Sequence, residues 1–179
     1  MKPTLLYYAA LPGAGKTRLS ERLAIDLDMD HYNSDQLRYQ MFPEPTYDLH
    51  SETIPMFNRM QELTKTALAA GRSAIYDAYM HSTGLRLQLV DLAEQAGGVA
   101  LCVHIDTDPE LCRQRVAERK VSPDYLYTED ITLEIFDRVI ADDEPPTDHR
   151  ENVVVINPSL GHEDSLEIIR AGIVAIQAA

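Results

Sequence analysis

The run Ala10-Leu11-Pro12-Gly13-Ala14-Gly15-Lys16-Thr17 constrains this chain more than any other stretch. It follows the apolar segment Thr4 to Ala10 and opens a segment in which Leu19, Leu23, Ala24 and Leu27 recur at helical spacing. A strand, a glycine-containing loop and a helix that starts with Lys-Thr form the context in which a backbone cradles phosphates. Consecutive N–H groups converge on the anion, the helix adds its positive end, and the lysine reaches the outer phosphates. Pro12, Gly13, Ala14, Gly15, Lys16 and Thr17 are therefore the expected nucleotide-binding residues, with the Thr17 hydroxyl directed at magnesium. The full pattern G-x-x-x-x-G-K-[ST] carries a glycine where this chain has Ala10. That position ends the strand, where one added methyl group is tolerable if φ is negative.

The rest of the chain alternates short apolar runs with longer helical ones. Met29–Asn33, Ser73–Asp77, Val99–Ile105 and Asn152–Asn157 read as further strands. Helices are expected from Ser34, over the Met56, Phe57, Met60, Leu63, Ala67 and Leu68 pattern that Gly71 ends, and from Ser82 or Thr83 towards Gly97. Three more follow: an arginine-bearing helix after Asp108-Pro109, one over Glu129–Ala141, and an amphipathic last one through Leu166, Ile169, Ile173 and Ile176. Strands buried on both faces and alternating with helices imply an α/β fold, a three-layer α/β/α sandwich around a five-stranded parallel sheet. Ligands of such sheets bind beyond the carboxyl ends of the strands, where the chemical residues of this sequence cluster. No repeat or Gly/Ser/Pro-rich linker interrupts the pattern, so residues 1–179 are expected to form one domain.

Charge narrows the partners. With 29 acidic against 16 basic residues and a formal charge of -13, the chain lacks the basic track that extended nucleic-acid binding requires. A local cationic pocket is compatible with that balance. No apolar run approaches the ~18 residues that cross a membrane, and the start MKPTLLYY is too short in its apolar part for a secretory leader. Cys102 and Cys112 read as reduced thiols of a cytoplasmic protein, and the six histidines show no paired spacing that would hold zinc.

What receives the phosphate is suggested by Asn33-Ser34-Asp35-Gln36-Leu37-Arg38, where Asp35 and Arg38 fall on one side of a starting helix. A carboxylate there is suited to take a hydroxyl proton and the arginine to orient a substrate anion, although an aspartate also simply favours a helix start. Asp77, ending the third strand, is a candidate for magnesium, with helix capping or acceptor binding as the alternatives. Arg59 and Arg86 face either the acceptor pocket or solvent, Tyr79 either stacks on a substrate ring or packs, and Asp106 and Asp108 are loop and cap residues.

The loop A-L-P-G-A-G-K-T followed about twenty residues later by S-D-x-L-R resembles the P-loop kinase group of polynucleotide 5'-kinases, zeta-toxin-like kinases and small ATP-binding proteins of the AAA_33 type. The resemblance implies the nucleotide-kinase strand order 2-3-1-4-5 and the cofactors ATP and Mg2+. It carries the general-base role onto Asp35 and a substrate-phosphate or transition-state role onto Arg38. It also makes the helix after the fourth strand the entry to a lid around residues 112–130, its mobile end Lys120 to Tyr127, with Arg115 stacked on the base and Arg119 on the transferring phosphoryl group. Base contacts are expected near Asn157 and Pro158. Glu144-Pro145-Pro146 matches an acidic-Pro-Pro element of the group, whereas Ala10 and the Tyr79-Met80 that replaces Thr-Asn after Asp77-Ala78 depart from it. The expected function is ATP-dependent transfer of a phosphoryl group to a hydroxyl of a small or nucleoside-like acceptor. A regulatory NTP hydrolase or nucleotide-gated module, a polynucleotide 5'-hydroxyl kinase and a nucleotide-sugar kinase are the alternatives.

Overall fold

In the computed structural model, which describes residues 1–118 and 133–178, five parallel strands form one sheet in the order β2-β3-β1-β4-β5. They are β1 (Thr4–Ala9), β2 (Asp30–Asn33), β3 (Ala74–Asp77), β4 (Val99–Ile105) and β5 (Val153–Ile156). The helices between and after them are α1 (Lys16–Asp26), α2 (Ser34–Met41), α3 (Ile54–Ala69), α4 (Thr83–Gln95), α5 (Pro109–Ala117), α6 (Leu133–Ala141) and α7 (His162–Ala178).

The unbroken apolar run of β1 has a direct cause, because this strand is central and helices cover both of its faces. Leu5, Tyr7 and Ala9 point into one core layer with Met56, Met60, Ala67 and Leu68 of α3 and Leu89, Val90 and Ala93 of α4. Leu6, Tyr8 and Ala10 point into the other, with Leu23 of α1, Cys112 and Val116 of α5, Phe136 of α6 and Leu166 and Ile169 of α7. The two buried tyrosines meet the cost of burying a hydroxyl by pairing. Tyr7 donates to the Glu151 carbonyl at 3.2 Å, and the Tyr8 oxygen accepts from Ser20 at 2.8 Å. The three-layer sandwich and the strand order are those expected from the sequence.

Two readings need correction or restriction. β5 is not buried on both faces: Val153 and Val155 are 37% and 54% exposed. Among the described residues it is an edge strand that pairs with β4 alone and packs on α7, and nothing among them covers its other face. The first part of the helix expected over Glu129–Ala141 lies outside the described residues, and α6 is described from Leu133. No helix among the described residues is long and apolar enough to cross a membrane.

Candidate active site

The loop between β1 and α1 has the backbone that its glycines permit. Gly13 (φ +86°) and Gly15 (φ +101°) occupy the left-handed region, and Gly15 caps α1. At Gly13 a side chain is also excluded by space, because a Cβ there would stand 2.6 Å from the Cys112 carbonyl oxygen of α5. Ala10 is not among the residues with positive φ and is buried at 6% exposure in the α1 side of the core. A methyl group at this position thus fills core space without straining the loop. The Lys16 ammonium donates to the carbonyls of Ala10 (2.9 Å) and Leu11 (3.0 Å) and stands 5.6 Å from the centre of the Tyr79 ring. Pro12, Gly13, Gly15, Lys16 and Thr17 line one side of a cup of about 190 Å³, and Ser34, Asp35, Asp77 and Tyr79 line the other.

The far side of the cup is set by the pairing of β2 with β3, whose register puts Asn33 beside Asp77. The Asn33 side chain works in two directions. Its oxygen accepts from the Gln36 N–H at 2.9 Å and so caps α2, while its amide nitrogen donates to Asp77 Oδ2 at 2.7 Å. His31 Nε2 lies 3.1 Å from that same oxygen. Neither Asn33 nor His31 was read as a site residue, since their roles depend on a neighbouring strand that is distant in sequence. The cap fixes the first turn of α2 and with it Asp35, which lines both the phosphate cup and a second cavity beyond it. Thr17 and Asp77 contribute a hydroxyl and a carboxylate to the same cup, the hard oxygen donors that magnesium accepts alongside water and phosphate.

That second cavity, about 590 Å³, lies between α2, the segment 47–61 and the loop after β3. Arg38 lines it and does not line the cup. The guanidinium is buried at 6% exposure, donates from Nη1 to Thr53 Oγ1 (3.3 Å), stands 3.9 Å from Glu52 Oε2 and lies over the Tyr47 ring at 4.6 Å. Glu52 organises this wall. Its carboxylate accepts from the N–H groups of Thr46 and Tyr47 and from the Thr46 hydroxyl, which holds Tyr47 at φ +60°. The Thr46 N–H bond, with the other hydrogen bonds and Arg38 adding to it, keeps the Glu52 carboxyl below its ordinary range against the opposing effect of burial. A π-helical turn, Leu49–Thr53, capped by Asp48, carries Glu52 and Thr53 towards Arg38 before α3 begins.

On the opposite side of the loop a groove is lined by Gly13, Ala14 and Gly15, Arg18 and Arg22 of α1, Arg115 of α5, and Asn157 and Pro158 after β5. Arg115 donates to the Gly13 carbonyl at 3.2 Å, so it touches the phosphate loop itself. Arg18 and Arg22 escaped the sequence reading, although their spacing of four residues on α1 was a usable signal. Arg119 and the segment Lys120–Tyr127 lie outside the described residues, as does the lid beyond residue 118.

The remaining candidates separate clearly. Asp108 caps α5 by accepting from Glu110 and Leu111 N–H. Arg59 is on the surface, paired with Glu62 at 2.6 Å. Arg86, expected in the acceptor pocket or on the surface, is in neither: it is wholly buried, bonded to Glu151, to the Met80 carbonyl (3.0 Å) and to Thr83 Oγ1 (3.2 Å). A buried carboxylate that no local pattern announces gives it a structural place. Tyr79 donates its hydroxyl to Asp143 Oδ1 at 2.9 Å, beside the end of α6, and burial followed by that carboxylate pushes its phenol up. Glu144 joins the same contact surface, donating its N–H to the His81 carbonyl and accepting from Thr83 N–H, each at 2.8 Å. Both cysteines are free and buried, and burial pushes the Cys102 thiol up to about 12.

Solved structures share this architecture along nearly the whole chain. A gluconokinase from Sinorhizobium meliloti 1021 superposes with a TM-score of 0.66 at 15% identity, covering 98% of this chain and 94% of that one. Kti12 from Chaetomium thermophilum, in complex with ADP-AlF3, gives 0.73 at 15% identity over 94% and 98%. The Mycobacterium tuberculosis APS kinase CysC, in complex with AMPPNP and APS, gives 0.65 at 13% identity over 96% and 98%. At these identities the likeness is one of fold. No curated protein matches the sequence. Residues 7–146, well over half of the chain, match the AAA domain family (AAA_33), so the protein belongs to that family and carries the P-loop kinase fold.

Proposed function

We propose that the protein is an ATP-dependent phosphotransferase that moves the γ-phosphoryl group of ATP to a hydroxyl of a small acceptor. The observation that carries this reading is the position of Asp35, which lines both the phosphate cup and the cavity behind it. A carboxylate between two compartments suits a base that takes the proton of an acceptor hydroxyl as its oxygen attacks the γ-phosphorus. The bond from that phosphorus to the bridging oxygen then breaks, and ADP leaves. Such transfer depends on positioning and on neutralising charge.

Each side chain has a task in this scheme. The loop amides from Pro12 to Thr17 hold the phosphate tail, and Lys16 turns from the loop carbonyls to the outer phosphates. Thr17 and Asp77 would hold magnesium, which when bound neutralises phosphate charge. Arg115, in contact with Gly13, covers the base groove. By the resemblance, Arg119, in the lid region that follows α5, would act on the transferring phosphoryl group. Arg38 orients the acceptor from within its cavity. The kinases among the structural relatives support the reaction class. Two buried free thiols suit the reducing cytoplasm.

The test is Asp35→Asn with radiolabelled ATP and a pool of hydroxylated metabolites. Loss of a general base should lower transfer by about 10²- to 10⁴-fold, while the Kd for ATP stays within a factor of about two. Transfer at near wild-type rate would remove Asp35 from this role, and brisk ATP turnover that no acceptor stimulates would favour a regulatory hydrolase.

A further inference from the structure

The cavity behind Asp35 has a composition that selects among acceptors. Its volume of about 590 Å³ falls in the range that encloses a drug-sized or nucleoside-sized molecule. Leu49, Phe57, Met80 and Leu85 supply apolar wall, and apart from Asp35 and Arg38 the polar side chains are hydroxyls, amides and the His81 imidazole. The arginine in that wall, Arg38, already has Glu52 and the Tyr47 ring face against it. An acceptor bearing a carboxylate or phosphate would therefore bring charge into a mostly apolar space whose arginine is compensated, and a polyol would press many of its hydroxyls against carbon. The net charge of -13 opposes anionic acceptors at longer range.

Behind the same wall, two polar atoms closed to solvent have no hydrogen-bond partner among the described residues: Arg38 Nε and the Tyr76 hydroxyl oxygen, on side chains 6% and 0% exposed. Native proteins rarely leave such groups unpaired, and a ligand whose binding shifts the wall enough to reach them gains from supplying the missing partners. Tyr47, at φ +60°, is a strained residue of the same wall, and strain of this kind gathers where ligands bind.

We propose that this cavity takes an uncharged, ring-bearing alcohol, whose ring packs on Phe57 and Met80, whose polar ring substituents pair with both Arg38 Nε–H and the Tyr76 hydroxyl, and whose reacting hydroxyl is directed at Asp35. The assignment rests on the kinase reading above. It separates this protein from kinases of sugar acids, nucleotide sugars or 5'-hydroxyl oligonucleotides by the chemistry of the wall.

The experiment measures binding by calorimetry in the presence of MgADP, and transfer from labelled ATP, with two sets of probes. Thymidine, 2-phenylethanol and tryptophol represent uncharged ring-bearing alcohols. D-gluconate, sorbitol, UDP-glucose and a 5'-hydroxyl dinucleotide represent charged and polyhydroxylated ones. The first set should hold the best ligand, at least tenfold tighter than any of the second. Tyr76→Phe should weaken that ligand by about three- to tenfold, the effect of one neutral hydrogen bond, without lowering the Tm, because the variant only removes an unpaired hydroxyl. Preference for the second set, no binding of the first set at millimolar concentration, or an unchanged Kd in Tyr76→Phe would each overturn the assignment. Ring-bearing alcohols that bind as described and are never phosphorylated would uphold the cavity's chemistry and sink the kinase reading. Phosphorylation of a charged alcohol in preference would do the reverse.

Discussion

At the scale of single residues, two small residues at the phosphate loop carry opposite tolerances. Gly13 sits at φ +86° with a carbonyl of α5 2.6 Å from where a Cβ would be, so neither conformation nor space admits a substituent. Ala10 lies in a core layer without positive φ. Gly13→Ala should therefore cost about 1–3 kcal/mol in backbone strain and weaken ATP binding by roughly tenfold or more, whereas Ala10→Gly should leave the Kd for ATP within about a factor of two. Calorimetric titration of both variants checks the contrast, and comparable losses in the two would refute it. The sequence carried this much, because a loop pattern is a statement about backbone spacing over eight residues. It did not show what makes Gly13 obligatory, since Cys112 is about a hundred residues away.

At the scale of elements, α2 and α3 are built to serve the cavity as well as the core. In α3, Met56, Met60 and Ala67 face the sheet, while Ile54, Phe57, Asn58 and Gln61 form a second stripe along the cavity. The periodicity of the first stripe identified the helix. The second, at i, i+3, i+4 and i+7, was legible in principle but mixes apolar and amide side chains and so reads as a helix shoulder. For α2 the controlling residue is Asn33, which caps the helix and at the same time ties it to β3 through Asp77. Asn33→Ala should remove about 0.5–2 kcal/mol of stability, a fall of a few degrees in Tm for a chain of this size. It should also depress kcat more than ATP affinity by releasing Asp35 from its position. Asn33→Ser, which can still cap but not reach Asp77, should recover stability ahead of kcat. Thermal unfolding and steady-state kinetics on the pair measure this, and full recovery of both by serine would mean that the link to Asp77 has no part in positioning.

At the scale of the molecule, a buried ion pair joins α4 to the turn before β5. Arg86 and Glu151 are both wholly buried, and the Glu151 carbonyl also accepts from Tyr7 of the central strand. Removing one partner leaves an uncompensated charge, so Arg86→Met alone should cost about 3–5 kcal/mol, while Arg86→Met with Glu151→Leu should recover most of it. Urea unfolding of the single and double variants decides, and a single variant as stable as the double would show that the pair is not coupled. Over these distances the sequence alone could no longer decide. It determined the alternation of strands and helices, the phosphate loop with Lys16 and Thr17, the cap at Asp108 and a helix start at Ser82 or Thr83, because each follows from backbone chemistry and hydrophobic spacing over a few residues. Tertiary structure decided that Arg86 is buried, that β5 is an edge strand among the described residues, that Asn33 meets Asp77, and that side chains from 34–61 and 76–88 enclose one cavity behind Asp35. Those outcomes depend on strand order and register, which bring together groups separated by dozens of residues, and a group's charge, exposure and partners are set by what surrounds it there.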